Sequence, residues 1–152
     1  MDFSATKFLV VGGEGAEKSV EMIDLEDPGN SCLFQDFPIE VIAGMGQQTP
    51  NGLFYCGGES SGSVSERCFK FKETKFVDAE FNLTKPRYQA SSVLYEDSFV
   101  VIGGWDNGVY FSDLEVVPEN QTMQFPNLTY GVSSSCAVVY KKHIIVTGGL
   151  TS

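Results

Sequence analysis

The side chains that most often carry metal and covalent chemistry are few in this chain. It holds one histidine, His143, and four cysteines, Cys32, Cys56, Cys68 and Cys136. No two cysteines form a C-x-x-C pair and no second histidine is present, so the closely spaced ligands of a zinc site are missing. Carboxylates are plentiful. Glu14/Glu17, Asp106/Asp113 and Glu115/Glu119 are near neighbours, and a glycosidase would need two carboxylates across one cleft. Nothing in their spacing selects a pair, and solvated loop residues are the simpler reading. The stretches "GGEG" (12–15) and "GGESSG" (57–62) raise phosphate binding. A phosphate cradle needs a following helix N-terminus or a lysine, whereas here strands follow and glutamates sit beside the glycines. A structural reading fits better: paired glycines end a tightly packed strand by taking positive φ or by admitting a neighbouring segment. The expectation is no catalytic residue, no metal site and no cofactor.

Bulk properties narrow the partners. Twenty acidic residues against ten basic ones give a net charge of −10, a surface that phosphate backbones repel, which argues against nucleic acid. No apolar run approaches the length of a membrane-spanning helix, so no membrane insertion is expected. The start "MDFSATKFLVVGG" has no basic leader and only the short apolar run Phe8–Val11, so no export signal is read there. Three N-x-T sequons, at Asn82, Asn120 and Asn127, hint at an extracellular setting, with a cytosolic chain carrying accidental sequons as the alternative. Cys56 and Cys136 lie inside apolar runs, where a free cysteine behaves as a small buried hydrophobe. Cys56 and Cys68 could face each other across a hairpin, as a disulfide or as two buried thiols.

The elements that must position all of this announce themselves by repetition. Four apolar runs, Phe8–Val11, Leu53–Cys56, Phe99–Ile102 and Ile144–Thr147, each end in a glycine pair: Gly12-Gly13, Gly57-Gly58, Gly103-Gly104 and Gly148-Gly149. The pairs are spaced 45, 46 and 45 residues apart. Such a period, filled with strand-like segments, points to an all-β propeller of four-stranded antiparallel blades. The preceding runs Ala90–Tyr95 and Ser135–Tyr140 are separated from the glycine-terminated ones by short polar turns, and "TPNG" (49–52) marks the same place in the second repeat. A polar loop then leads to a third strand (Val20–Leu25, Arg67–Phe71, Asp113–Val117) and a fourth (Cys32–Phe37, Phe76–Phe81, Thr122–Phe125). Blade units are expected over 1–38, 39–82, 83–127 and 128–152.

The glycine pairs with their apolar runs, together with "SVEMIDLED" (19–27) and "FVDAEFNLTKPRYQASSVLY" (76–95), resemble the kelch-repeat family in its divergent, invertebrate kelch-like form. The family's tryptophan after the third strand is replaced by Phe76 in one repeat, Pro86-Arg87 is the only "PR", and the only tryptophan, Trp105, follows a glycine pair. The resemblance implies a binding propeller whose loops after the second strand and between blades face one partner-binding side. Those loops are Glu14–Ser19, Glu59–Glu66 and Trp105–Phe111, and the interblade segments Ile39–Met45, Thr84–Gln89 and Leu128–Ser133. They supply Arg87, Tyr88, Trp105, Asp106 and Tyr130 as candidate contacts to a protein or peptide. Trp, Tyr and Arg are frequent binding anchors; the alternative is packing between blades for Trp105 and Tyr88, and bracing of a neighbouring loop for Arg87. Two enzyme-related readings stand beside this one. A copper-dependent sugar oxidase of the same architecture would need two histidine ligands and a tyrosine–cysteine pair, and a glycan-processing propeller would need its carboxylates. A third context is the substrate-recognition propeller of a ubiquitin ligase without its BTB domain. The chain spans three to three-and-a-half blades, fewer than a closed ring holds, so a piece of a longer protein is expected, with self-association through open blade flanks as the alternative.

Overall fold

The computed structural model describes residues 6–27, 29, 32–118 and 123–151. Among these residues every regular element is a strand and neighbouring strands are antiparallel. The chain begins with a three-stranded sheet of β1 (Lys7–Val11), β2 (Val20–Asp24) and β3 (Cys32–Leu33). Next come β4 (Met45–Thr49) and β5 (Gly52–Cys56), a small hairpin of β6 (Glu59–Ser60) and β7 (Ser63–Val64), then β8 (Arg67–Lys72) and β9 (Lys75–Asn82). Here β4, β5, β8 and β9 form one four-stranded sheet. The third unit repeats the plan with β10 (Ser91–Tyr95), β11 (Ser98–Ile102), the hairpin β12 (Trp105–Asp106) and β13 (Val109–Tyr110), and β14 (Leu114–Val117). Last come β15 (Val132–Ser133), β16 (Cys136–Tyr140), β17 (His143–Thr147) and β18 (Leu150–Thr151), with β16 paired to β17 and β15 to β18.

Successive side chains along a strand point to opposite faces, and here both faces of the central strands are used. On β5, Tyr55 and Leu53 pack toward the first sheet with Phe37, Val41, Phe69 and Phe76. Its alternate residues Phe54 and Cys56 pack toward the third sheet with Met45, Phe99, Val101 and Val117. On β11 the same division recurs: Phe99 and Val101 face back, while Val100 and Ile102 face forward to Ala137, Val139, Ile144 and Val146. The runs ahead of the glycines are therefore apolar on both faces because a sheet lies on each side. The outermost faces have no such cover: Phe8 and Val10 on β1, and Val138, Tyr140 and Ile145 on β16 and β17, are exposed.

The glycine pairs join these sheets. The second glycine donates its N–H to a carbonyl of the following unit: Gly13 to Val41, Gly58 to Arg87 and Gly104 to Val132, at 3.2, 3.0 and 2.7 Å. The first glycine lies under the same carbonyl. A Cβ on Gly57 or Gly103 would stand 2.5 Å from the oxygen of Arg87 or Val132, and φ is +68° and +64° at these residues. Only glycine satisfies both demands. Gly148 has the same φ of +68° and nothing within 4 Å of the place its Cβ would take.

Three expectations change on contact with the structure. The loops after the glycines are two-stranded hairpins in the second and third units, because Ser61-Gly62 and Asn107-Gly108 take the positive-φ pair that closes a tight two-residue turn. The fourth strand of the third unit is not formed over Met123–Phe125, where Pro126 follows and cannot donate to a ladder; Thr122 lies outside the described residues. Cys136 is exposed and not a buried hydrophobe, since its face of β16 is one of the uncovered ones. Cys56 and Cys68 form a disulfide, directly opposed across β5 and β8.

Two outcomes follow from this packing. Gly103→Ala loses stability through the left-handed backbone and the collision together, about 2–4 kcal/mol, whereas Gly148→Ala loses only about 1 kcal/mol, as compared by urea unfolding. Tyr55 is buried, its hydroxyl accepts the Gly44 N–H at 3.1 Å, and burial pushes its pKa up to about 12. The folded state then holds that proton where the unfolded phenol, near pH 10, has lost it. Tyr55 therefore contributes stability below about pH 10 that fades as pH rises toward 12, by up to about 3 kcal/mol, and Tyr55→Phe shows a flatter alkaline limb.

Candidate functional site

The expected contact residues part company in the folded chain. Arg87 is fully buried. Its carbonyl faces Gly58, and its side chain turns into the third unit, where Nη1 donates to the Gly103 carbonyl at 2.9 Å. Nη2 meets Asp113 at 3.1 Å and Glu115 at 3.0 Å, and the guanidinium lies 4.8 Å over the ring of Phe111. Arg87 thus braces its neighbours and offers no side-chain contact to a partner. The planar, multi-donor guanidinium is what lets one group hold three acceptors at once. Burial alone would raise the Asp113 carboxyl, but the charges of Arg87 and Lys85 and the Arg87 hydrogen bond outweigh it and hold the group below the usual carboxylate range. Glu115 also accepts the backbone N–H of Thr84. The acidic neighbours Asp106/Asp113 and Glu115/Glu119 are accordingly split: Asp113 and Glu115 are spent on Arg87, and Glu119 lies outside the described residues.

The other four candidates gather around one hairpin. Tyr88 and Trp105 exchange backbone hydrogen bonds at 3.1 and 2.9 Å, and their rings meet edge to face at 5.3 Å. This bridge is the local form of a repeated one, Ile42 with Glu59 in the second unit and Ser133 with Leu150 in the fourth. Trp105 pairs across the hairpin with Tyr110, and Asp106 with Val109. Asp106 also accepts from the Asn107 side chain at 2.9 Å. The Gly131 backbone packs directly on Tyr110, which sets Tyr130 beside the hairpin with 70% of its surface exposed. Tyr88, Trp105 and Tyr110 are half-buried. Tyr110 was not among the expected contacts, although the sequence marks it: "WDNGVY" is an Asn-Gly turn with aromatic residues at mirror positions. Among the described residues no three His, Cys, Asp or Glu side chains group as metal ligands would.

No family model matches the chain, and no curated protein matches it. Among solved structures the chain is similar to that of YjhT, with a TM-score of 0.71 and 13% sequence identity over 89% of this chain and 45% of that one. The chain thus spans less than half the length of that neighbour, and the likeness is one of fold.

The Arg87 cluster carries a direct test. Arg87→Ala removes the guanidinium from two carboxylates, one of them well buried, and is expected to cost about 3–5 kcal/mol in urea unfolding, with Arg87→Lys recovering only part of it. Because the folded Asp113 carboxyl lies below its unfolded value, its contribution is complete above about pH 4 and is lost as pH falls through the folded value. Asp113→Asn should therefore shallow the acid limb of the stability profile.

Proposed function

We propose that the chain is a segment of a kelch-type β-propeller, supplying three to three-and-a-half blades, and that it acts as a non-catalytic module binding a protein or peptide. The propeller reading is supported by the backbone pattern that recurs at the spacing of the glycine pairs. Each of the first three units contributes a glycine N–H to the next unit's carbonyl, and apolar layers lie between successive units. The likeness to YjhT over most of this chain is in keeping with it. Further blades, from a longer chain or from a second copy, would cover Phe8 and Val10 on one flank and Val138, Tyr140 and Ile145 on the other.

The binding reading rests on one observation: the aromatic row of Tyr88, Trp105 and Tyr110, with Tyr130 exposed beside it. Side chains of this kind offer large apolar area at small entropic cost and dominate binding hot spots. A surface of net charge −10 favours a partner that brings basic groups together with its apolar ones. Peptides selected from a display library on the immobilised protein provide the probe. Trp105→Ala and Tyr130→Ala should each weaken the selected peptides about tenfold or more in calorimetry, with Tyr130→Ala leaving the unfolding midpoint unchanged. Undiminished binding by both variants would remove this face from consideration.

A further inference from the structure

The sequons and the disulfide, unconnected in the sequence, bear on the same question in the folded chain. Asn127-Leu128-Thr129 lies in the segment that joins the third unit to the fourth. Leu128 packs into the apolar layer between those units, and its N–H is held by the Ser112 carbonyl at 2.8 Å. With Leu128 turned inward, Asn127 and Thr129 on either side of it are both exposed. That arrangement leaves the acceptor amide and the hydroxyl two residues on, the two groups a sequon needs, free of the core. Asn127 also lines a surface groove together with Tyr95, Leu114, Phe125, Lys142 and His143.

The other two sequons differ. The Asn82 carboxamide oxygen accepts the Cys68 N–H at 3.1 Å, at the irregular end of the β8–β9 ladder, so that side chain already works as a backbone brace. Asn120 lies outside the described residues. The disulfide supplies the compartment. Cys56 and Cys68 are 0% and 1% exposed, so their sulfurs sit in the apolar layer between the second and third sheets. Disulfides form and persist in environments that oxidise thiols, whereas the cytosol keeps thiols reduced.

We propose that Asn127 is an N-glycosylation site and that the protein folds in the oxidising secretory compartment where this modification is made. In the glycosylation step Asn127 Nδ2 bonds to the anomeric carbon of a lipid-diphosphate-linked oligosaccharide. The bond from that carbon to the phosphate oxygen breaks, the lipid diphosphate leaves with the electron pair, and the amide gives up one proton. In the oxidation step the two thiols pass two electrons and two protons to the disulfide of a thiol oxidoreductase, which becomes a dithiol.

The protein isolated from the cells that make it is treated with peptide N-glycosidase in ¹⁸O-labelled water and mapped by mass spectrometry without reduction. Residue 127 is expected as ¹⁸O-labelled aspartate, with the Cys56 and Cys68 peptides linked. Unmodified Asn127 in every peptide, or free Cys56 and Cys68 thiols, would overturn the proposal. A second arm expresses the full chain behind an export signal in a eukaryotic line. Asn127→Gln should remove one glycan from the gel mobility and Asn82→Gln should leave that glycan in place. If Asn127→Gln is not secreted, Thr129→Ala replaces it, removing the sequon while keeping the asparagine. A glycan count unchanged by loss of this sequon overturns the assignment.

Discussion

The rest of the molecule depends on how closely one backbone approaches another at the glycine pairs. In the first three units the strand before the glycine pair ends under a carbonyl of the next unit, near enough that a methyl group would not fit. The second glycine of the pair turns that proximity into a hydrogen bond. This fixes where the next sheet begins, and hence which of its side chains enter the shared apolar layer. Further along the same segments, Gln89 donates to the Ala43 carbonyl and Ser134 to the Gln89 carbonyl, at 2.9 and 2.7 Å. All three residues hold a positive φ, so one local conformation recurs from unit to unit and links three units in series. A backbone contact that tolerates no side chain is less adaptable than apolar packing, which absorbs changes of a methylene or two.

Between the sheets, the layers are filled differently at each junction. The first is aromatic: the Phe37 ring lies within 5 Å of the ring centres of Tyr55, Phe69 and Phe76. The second contains the disulfide together with Phe54, Phe99 and Val101. The third is aliphatic around Val100, Ile102, Val139 and Val146. Phe37, Leu83 and Leu128 hold matching places, each an apolar residue whose N–H is bound to the preceding loop. The scaffold is therefore regular in its backbone and varied in its contents. That division leaves the hairpins after the glycines free to differ, and the aromatic row occupies one of them.

What the sequence disclosed follows the same division. The strands ending at the glycines were legible to within about a residue, because a run apolar on both faces and closed by two glycines fits little besides an inner strand that stops at a close backbone crossing. The hairpins β6–β7 and β12–β13 are less legible, since each is only two residues to a side and, in the first, the polar flanks of Ser61-Gly62 hide the alternation. Arg87 could be recognised as important, but its type alone does not say whether it points outward or inward. The deciding partners, Asp113 and Glu115, lie 26 and 28 residues away. Tyr110 was missed because its significance comes from being opposite Trp105, and that is a matter of register across a turn. The disulfide stayed open between two readings for the same reason: Cys56 and Cys68 meet only once β5 and β8 are in register.

The buried arginine also bears on how the chain finds its order. Units built on one backbone pattern are prone to dock in the wrong sequence, a hazard of repeat proteins during folding. Gly57 bonds the Arg67 carbonyl just as Gly103 bonds the Asp113 carbonyl, so Arg67 holds in the second unit the place that Asp113 holds in the third. The residues matching Arg87 itself are Val41 and Val132. A joining segment that settled one unit too early would bring Arg87 against Arg67 and leave Asp113 and Glu115 without their cation. The ion cluster therefore gives this junction a charge match that the valine junctions at Val41 and Val132 lack.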